Sequence, residues 1–188
     1  MNNFELQLPT LHHQAAAENF KNEFFEMQEH EINGSAMLDQ MEYEQWLTHN
    51  TNNRYENTVS CGWVVATTFF AVRRCDHKII GMIDLRHNLG NEFLRQFGGH
   101  IGYSVRPSER KKGYATEMLK RTLDYAKSLN IKKVMMGCYS DNVPSIRTIE
   151  KCGGELKEAK PYIPHTFGDN FNMPVEDGKI INIYWIDL

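Results

Sequence analysis

At 188 residues, with 41% hydrophobic and 24% charged side chains and only 6 prolines, the chain has the composition of an ordinary globular protein, long enough to bury roughly 70% of its unfolded surface in one core. One domain over residues 1–188 is expected, with no repeat or low-complexity linker. A formal net charge of −3 argues against general attraction to nucleic acid or anionic membrane, and no apolar run approaches the ~18 residues that cross a bilayer. Cys61, Cys75, Cys138 and Cys152 show no Cys-x-x-Cys spacing and no zinc-type pairing with histidines, and no His-Glu-x-x-His helix occurs, so no metal is expected. Met1 to Glu5 lacks the charged and apolar regions of a secretion signal, which points to a cytoplasmic chain with reduced thiols.

Phe4 to Leu8 alternates and stops at Pro9, a short first strand. Leu11 to Asn57 reads as two helices broken at Asn33-Gly34, with Ala15 to Ala17, Phe20, Phe24, Met27, Met37, Leu38, Met41, Trp46 and Leu47 facing a core. Cys61 to Val72 is rich in Val, Thr and Phe, and the turn at Arg73 to His77 folds it back onto Lys78 to Leu85 as a hairpin. Asn88 to Asn91 and Gly98-Gly99 lead into a strand at His100 to Val105. Ala115, Met118, Leu119, Thr122, Leu123, Ala126 and Leu129 then mark one face of a long helix. A strand over Lys133 to Tyr139, a short helix from Asn142 to Gly154, a strand at Glu155 to Glu158 and a last strand over Lys179 to Leu188 complete the chain.

Between the strand ending at Val105 and the long helix lies Arg110-Lys111-Lys112-Gly113-Tyr114-Ala115. A loop entering a helix N-terminus presents backbone N–H groups that have no intrahelical partner, and the helix dipole adds partial positive charge. Gly113 lets the backbone approach a ligand closely, and Arg110, Lys111 and Lys112 bring cations, so the loop suits a phosphate.

Arg110, Gly113 and Ala115 match the acetyl-CoA signature of the GCN5-related N-acetyltransferases: Gln or Arg, two residues, Gly, one residue, Gly or Ala. Asn142, Ser145, Glu150-Lys151 and Gly153-Gly154 resemble the family's later Asn…Ser/Ala…Glu-Lys…Gly segment. The resemblance covers about His100 to Gly154. It implies a mixed α/β fold with a central twisted mixed sheet of about seven strands and helices on both faces. It also implies acetyl-CoA as cosubstrate and a small-molecule or peptide amine as acceptor, with no nucleic acid, membrane or metal required and a homodimer left open.

Carried onto this sequence, the family's splayed fourth strand would offer the backbone of Tyr103, Ser104 and Val105 to the pantetheine and the thioester. Arg110 to Thr116 would hold phosphate, and Asn142 and Ser145 would touch pantetheine. Asn142 and Pro144 equally suit a helix start, and Lys151 a helix end. For the general base, His100 and Asp84 are rivals. Many members carry a Tyr before the Glu-Lys pair that protonates the CoA thiolate; Ile149 stands there, leaving Tyr139 as the substitute. The first two helices and the Pro161 to Pro174 loop would shape the acceptor pocket, with Glu18, Glu23, Glu26, Tyr162 and His165 as its polar or aromatic candidates. Loss of the Tyr keeps a second reading open, a non-catalytic acyl-CoA-binding module.

Overall fold

Alternation in the first strand of the central hairpin separates two of the three hydrophobic clusters among the described residues. A computed structural model describes residues 3–162 and 178–188. In it, β2 (Ala66–Arg73) sends Phe69 and Ala71 to one side of a sheet and Phe70 and Val72 to the other. Successive side chains of a strand point to opposite faces, so a strand apolar at every position must be covered on both. β3 (Ile79–Arg86) repeats the pattern, with Ile83 and Leu85 on the first side and Met82 on the second.

The second side is covered by α1 (Gln14–Glu26) and α2 (Tyr43–Asn52). Ala17, Phe20 and Phe24 follow helical spacing on α1 and pack with Tyr43 and Trp46 of α2 against Phe70 and Met82. Burying side chains of this size contributes roughly 1.5–3 kcal/mol each. The first side receives α3 (Tyr114–Ser128) through Met118, Leu119, Leu123 and Ala126, together with Ile149 from α4 (Val143–Lys151).

The strands form two antiparallel sheets. One runs β1-β2-β3-β4, where β1 is Phe4–Gln7 and β4 is Ile101–Val105; the other runs β5-β7-β6, built from Lys133–Tyr139, Ile180–Asp187 and Glu155–Pro161. The seven-stranded expectation holds, divided between β4 and β5. Among the described residues these two edges meet through one isolated bridge, Gly99 to Met136, beside a 2.7 Å bond from the His100 N–H to the Met135 carbonyl. Both sides of that joint require glycine. Gly99 has φ +63°, and a Cβ there would press on the Met135 backbone, while a Cβ on Gly137 would collide with the Phe97 carbonyl oxygen.

Several local expectations shift. β2 begins at Ala66 rather than Cys61, and β6 extends beyond Glu158 to Pro161. Ala15 and Met27 face solvent, and a single π-helical turn, Leu94–Gly98, precedes β4 where only punctuation was expected. Asn33-Gly34 does break the helical stretch. The chain from 27 to 42 runs as turns and lays Gly34 directly on Gly102 of β4, too close to admit a Cβ. Among the described residues no helix is long and apolar enough to cross a membrane.

Candidate active site

Where β4 leaves β5, the parity of its hydrogen bonds decides which backbone groups are available. Arg86 N–H bonds the His100 carbonyl and Arg106 N–H the Ile80 carbonyl, while the register pairs Met82 with Ser104 and Asp84 with Gly102. Even-numbered residues of β4 therefore exchange bonds with β3, and the N–H groups of Ile101, Tyr103 and Val105 point toward the gap. Tyr103 and Val105 thus stand as expected. Ser104 does not: its amide belongs to the β3 ladder, and its hydroxyl donates to the Asn33 carbonyl at 2.7 Å. Strand hydrogen bonding has a period of two, so three consecutive residues cannot all offer their amides to the gap.

The loop after β4 ends in a left-handed turn. Gly113 has φ +82° and caps α3, and among the described residues no side chain caps that end. The amides of Tyr114, Ala115 and Thr116 are consequently the uncompensated donors of a helix of 15 residues, and all three residues line the adjoining cavity. The loop cations divide by partner. Arg106 is 2% exposed; it donates to the Ile79 carbonyl, Asn19 and Glu23 and lies over the Phe20 ring, so it locks the loop to α1. Lys112 pairs with the buried Glu109 at 2.9 Å and does not line the cavity. Arg110 lines it but is held by both Glu29 carboxylate oxygens at 2.6 Å, a pairing that draws the Glu29 carboxyl below its ordinary range. Exposed Lys111 lines it too, as do Arg147 and Lys151 of α4, of which Arg147 was not anticipated.

The cavity measures about 900 Å³ and reaches both faces of the split sheet. On the α3 and α4 side it meets Tyr103, whose hydroxyl lies 3.0 Å from Ser145 Oγ. Burial pushes that phenol up to about 12, and pushes the neighbouring Cys138 thiol up to about 11, so neither ionises near neutrality. Asn142 also lines this part, with its Oδ1 accepting the Ser145 N–H at 3.1 Å as a helix cap. Ile149 is fully buried, its side chain pressed against Gly154. Tyr139 lines the cavity edge-on to Tyr162, with Lys179 above its ring.

On the α1 and α2 side the cavity reaches Asp84, whose oxygens accept from Thr68 at 2.8 Å and lie 3.3 Å from Arg86 Nε. His100 lies apart, 7% exposed and absent from the lining. Its Nδ1 accepts the Met135 N–H at 3.0 Å, which places the proton of the neutral ring on Nε2 and leaves no free lone pair. Burial and nearby Arg86 bring its pKa down to about 4. Glu18, Glu23 and Glu26 do not line the cavity; Glu18 pairs with Lys21, and Glu23 with Arg106 and the Ser108 N–H. Their places are taken by the turns from Glu29 to Gln40 and by Asn50 and Asn53 at the end of α2. Tyr162 does line the cavity, while His165 and most of the Pro161 to Pro174 loop fall outside the described residues.

An uncapped helix start, a splayed strand edge and one cavity joining them define the architecture of an acyl-CoA-dependent transferase. Residues 5–155 match the Acetyltransferase (GNAT) domain model, and the chain belongs to that family. It is 35% identical over 65 residues to YnaD of Bacillus subtilis (strain 168), an uncharacterized N-acetyltransferase, a match covering 32% of this chain and 38% of that relative. Its fold is similar to ribosomal-protein-S5-alanine acetyltransferase from Vibrio fischeri, with TM-score 0.70 and 18% identity over 100% of this chain and 94% of the other. It is similar also to spermidine N-acetyltransferase from Vibrio cholerae, solved with CoA and spermine, with TM-score 0.64 and 15% identity over 100% and 96%.

Proposed function

We propose that the chain transfers the acetyl group of acetyl-CoA to a primary amine by direct attack on the thioester. The observation that carries this reading is the convergence, on one cavity, of the uncapped α3 N-terminus behind Gly113 and the gap-facing amides of β4. Tyr114, Ala115 and Thr116 N–H groups, with Lys111, Arg147 and Lys151 around them, suit the pyrophosphate and phosphate of CoA. Tyr103 and Val105 N–H groups replace the missing strand partner with pantetheine, and Tyr103 N–H is placed to stabilise charge developing on the thioester oxygen.

Asp84 receives the base role, because it lies on the acceptor side of the gap and already accepts from Thr68, which fixes its orientation. It holds the incoming amine and takes its proton, directly or through water. Tyr103 supplies the hydrogen bond to the departing thiolate. Its phenol lines the cavity and is joined through Ser145 to α4, the helix that carries Ile149. Tyr139 remains the second donor at the cavity edge.

Calorimetry with CoA and amine-dependent release of free thiol from acetyl-CoA test the reading together. Binding with release across a primary-amine panel is expected. The buried Ile149 favours one other reading, a module that binds acyl-CoA without turnover; binding without thiol release from any amine would establish it.

A further inference from the structure

Two side chains of the cavity have polar atoms that nothing among the described residues satisfies. Asn50 is 3% exposed and Asn53 4%; Asn50 Nδ2 and Asn53 Oδ1 have no hydrogen-bond partner among the described residues. Both residues line the cavity on its α2 side, together with Trp63, Thr68 and Asp84. A buried amide atom without a partner is costly, and such atoms are uncommon in folded proteins. Asn53 is otherwise firmly fixed: its Nδ2 meets His49 Nε2 at 2.8 Å, and its carbonyl accepts the Ala66 N–H at 2.9 Å. His49 stands edge-on to Trp63 at 4.7 Å, so the wall behind the two asparagines is packed.

The two open atoms are of opposite kind, one donor and one acceptor, three residues apart on one helical face. They are complementary to a neutral group that itself accepts and donates. A carboxamide or peptide group does both and is flat, matching the indole of Trp63 beside it. An ammonium group only donates. It would satisfy Asn53 Oδ1 and leave Asn50 Nδ2 buried and unmatched.

We propose that Asn50 and Asn53 form an acceptor subsite for an amide group, so that the amine acetylated by this protein belongs to a molecule bearing a carboxamide or peptide bond, not to a bare polyamine. This rests on the transferase reading above. The amine itself is oriented by Asp84, farther along the same cavity, and the asparagines grip the amide end of the same molecule.

Binding is measured by calorimetry in the CoA-loaded protein, where no chemistry occurs, using glycinamide, β-alaninamide and their longer homologues, each against the diamine of the same length. One length of amide should bind at least about tenfold more tightly than its diamine, because only the amide pairs both open atoms. Asn50→Leu and Asn53→Leu, made separately, should remove that preference while leaving CoA affinity unchanged. Asn50→Leu should also unfold at the same or a higher temperature, since it deletes a buried unpaired atom. Equal binding of amide and diamine, or a preference that survives both substitutions, would overturn the subsite. Thiol release from acetyl-CoA, followed in parallel, separates the two inferences. Amide selectivity in binding with no turnover sinks the transferase reading alone, and turnover without amide selectivity sinks the subsite alone.

Discussion

Replacing Tyr103 by Phe removes one oxygen and tests how the leaving thiolate is stabilised. In the folded protein that oxygen lies 3.0 Å from Ser145 Oγ, and a single such bond contributes about 1 kcal/mol net, so the melting temperature should fall by about 2–4 °C. The catalytic effect should be larger. Burial holds the phenol at about 12, well above the ~8.5 of a thiol, so full proton transfer to the thiolate is uphill. A hydrogen bond donated in the transition state is then the realistic contribution. This favours the lower end of general-acid effects, about 10²-fold, which corresponds to ~2.7 kcal/mol. Single-turnover release of CoA thiol gives the rate, and calorimetry gives CoA affinity, which should stay within about twofold. Because the phenol remains protonated at working pH, the variant should lose rate without moving the pH profile. Ser145→Ala removes one of the phenol's two hydroxyl partners, leaving Thr148, and should keep the rate within about threefold. An unchanged rate in Tyr103→Phe would pass the role to water or Tyr139, and a loss expressed only in CoA affinity would make Tyr103 a strut between β4 and α4.

Other expectations follow from the same geometry. Gly113→Ala forces a Cβ into a left-handed backbone at φ +82°, costing about 1–2 kcal/mol, and should weaken CoA binding by roughly tenfold in calorimetry. Lys111→Ala should weaken CoA a few-fold in a salt-dependent way, whereas Lys112→Ala, which breaks bonds to Glu109 and the Ser108 carbonyl outside the cavity, should leave CoA affinity unchanged; the reverse ranking would mean the loop is misplaced. Glu23, Glu29 and Glu109 all titrate below their ordinary value of 4.5 when folded, although burial alone would raise all three. Their stabilisation is therefore present above about pH 4.5 and lost as acid passes through the depressed values, so urea midpoints should drop on acidification and drop less steeply in Glu109→Gln. Arg106→Met should cost about 3–5 kcal/mol by chemical denaturation, because it strips the partner from a part-buried carboxylate; a change below 1 kcal/mol would refute the locking role.

The elements were largely legible because their signals are local. The α3 stripe from Met118 to Ala126, the Arg73 to His77 turn and the Gly113 loop each declare themselves within a few residues. What escaped the sequence depends on partners far along the chain. Arg106, Arg110 and Lys112 form one basic cluster in sequence, but Glu23 and Glu29 reach across from α1 and its following turn to claim two of them, and Glu109 takes the third. His100 looked like a base because it heads a strand; the Met135 amide, 35 residues on, occupies its lone pair. Ser104 was misjudged because strand parity is set by the partner strand. Asn50 and Asn53 carry no motif at all, and only tertiary packing reveals that their amide atoms are open.

The joint between the half-sheets has a consequence for how the opening can be tuned. Gly99, just before β4, meets it against the Met135 backbone of β5, and Gly137 of β5 meets it against the Phe97 carbonyl in the π-helical turn that leads into β4. Two absent methyl groups thus act as the pin of a wedge whose mouth is the gap between β4 and β5. Adding a methyl at either position forces the strands apart at the apex, where a small displacement is magnified toward the mouth. The width of the gap is in this sense set by atoms the chain leaves out.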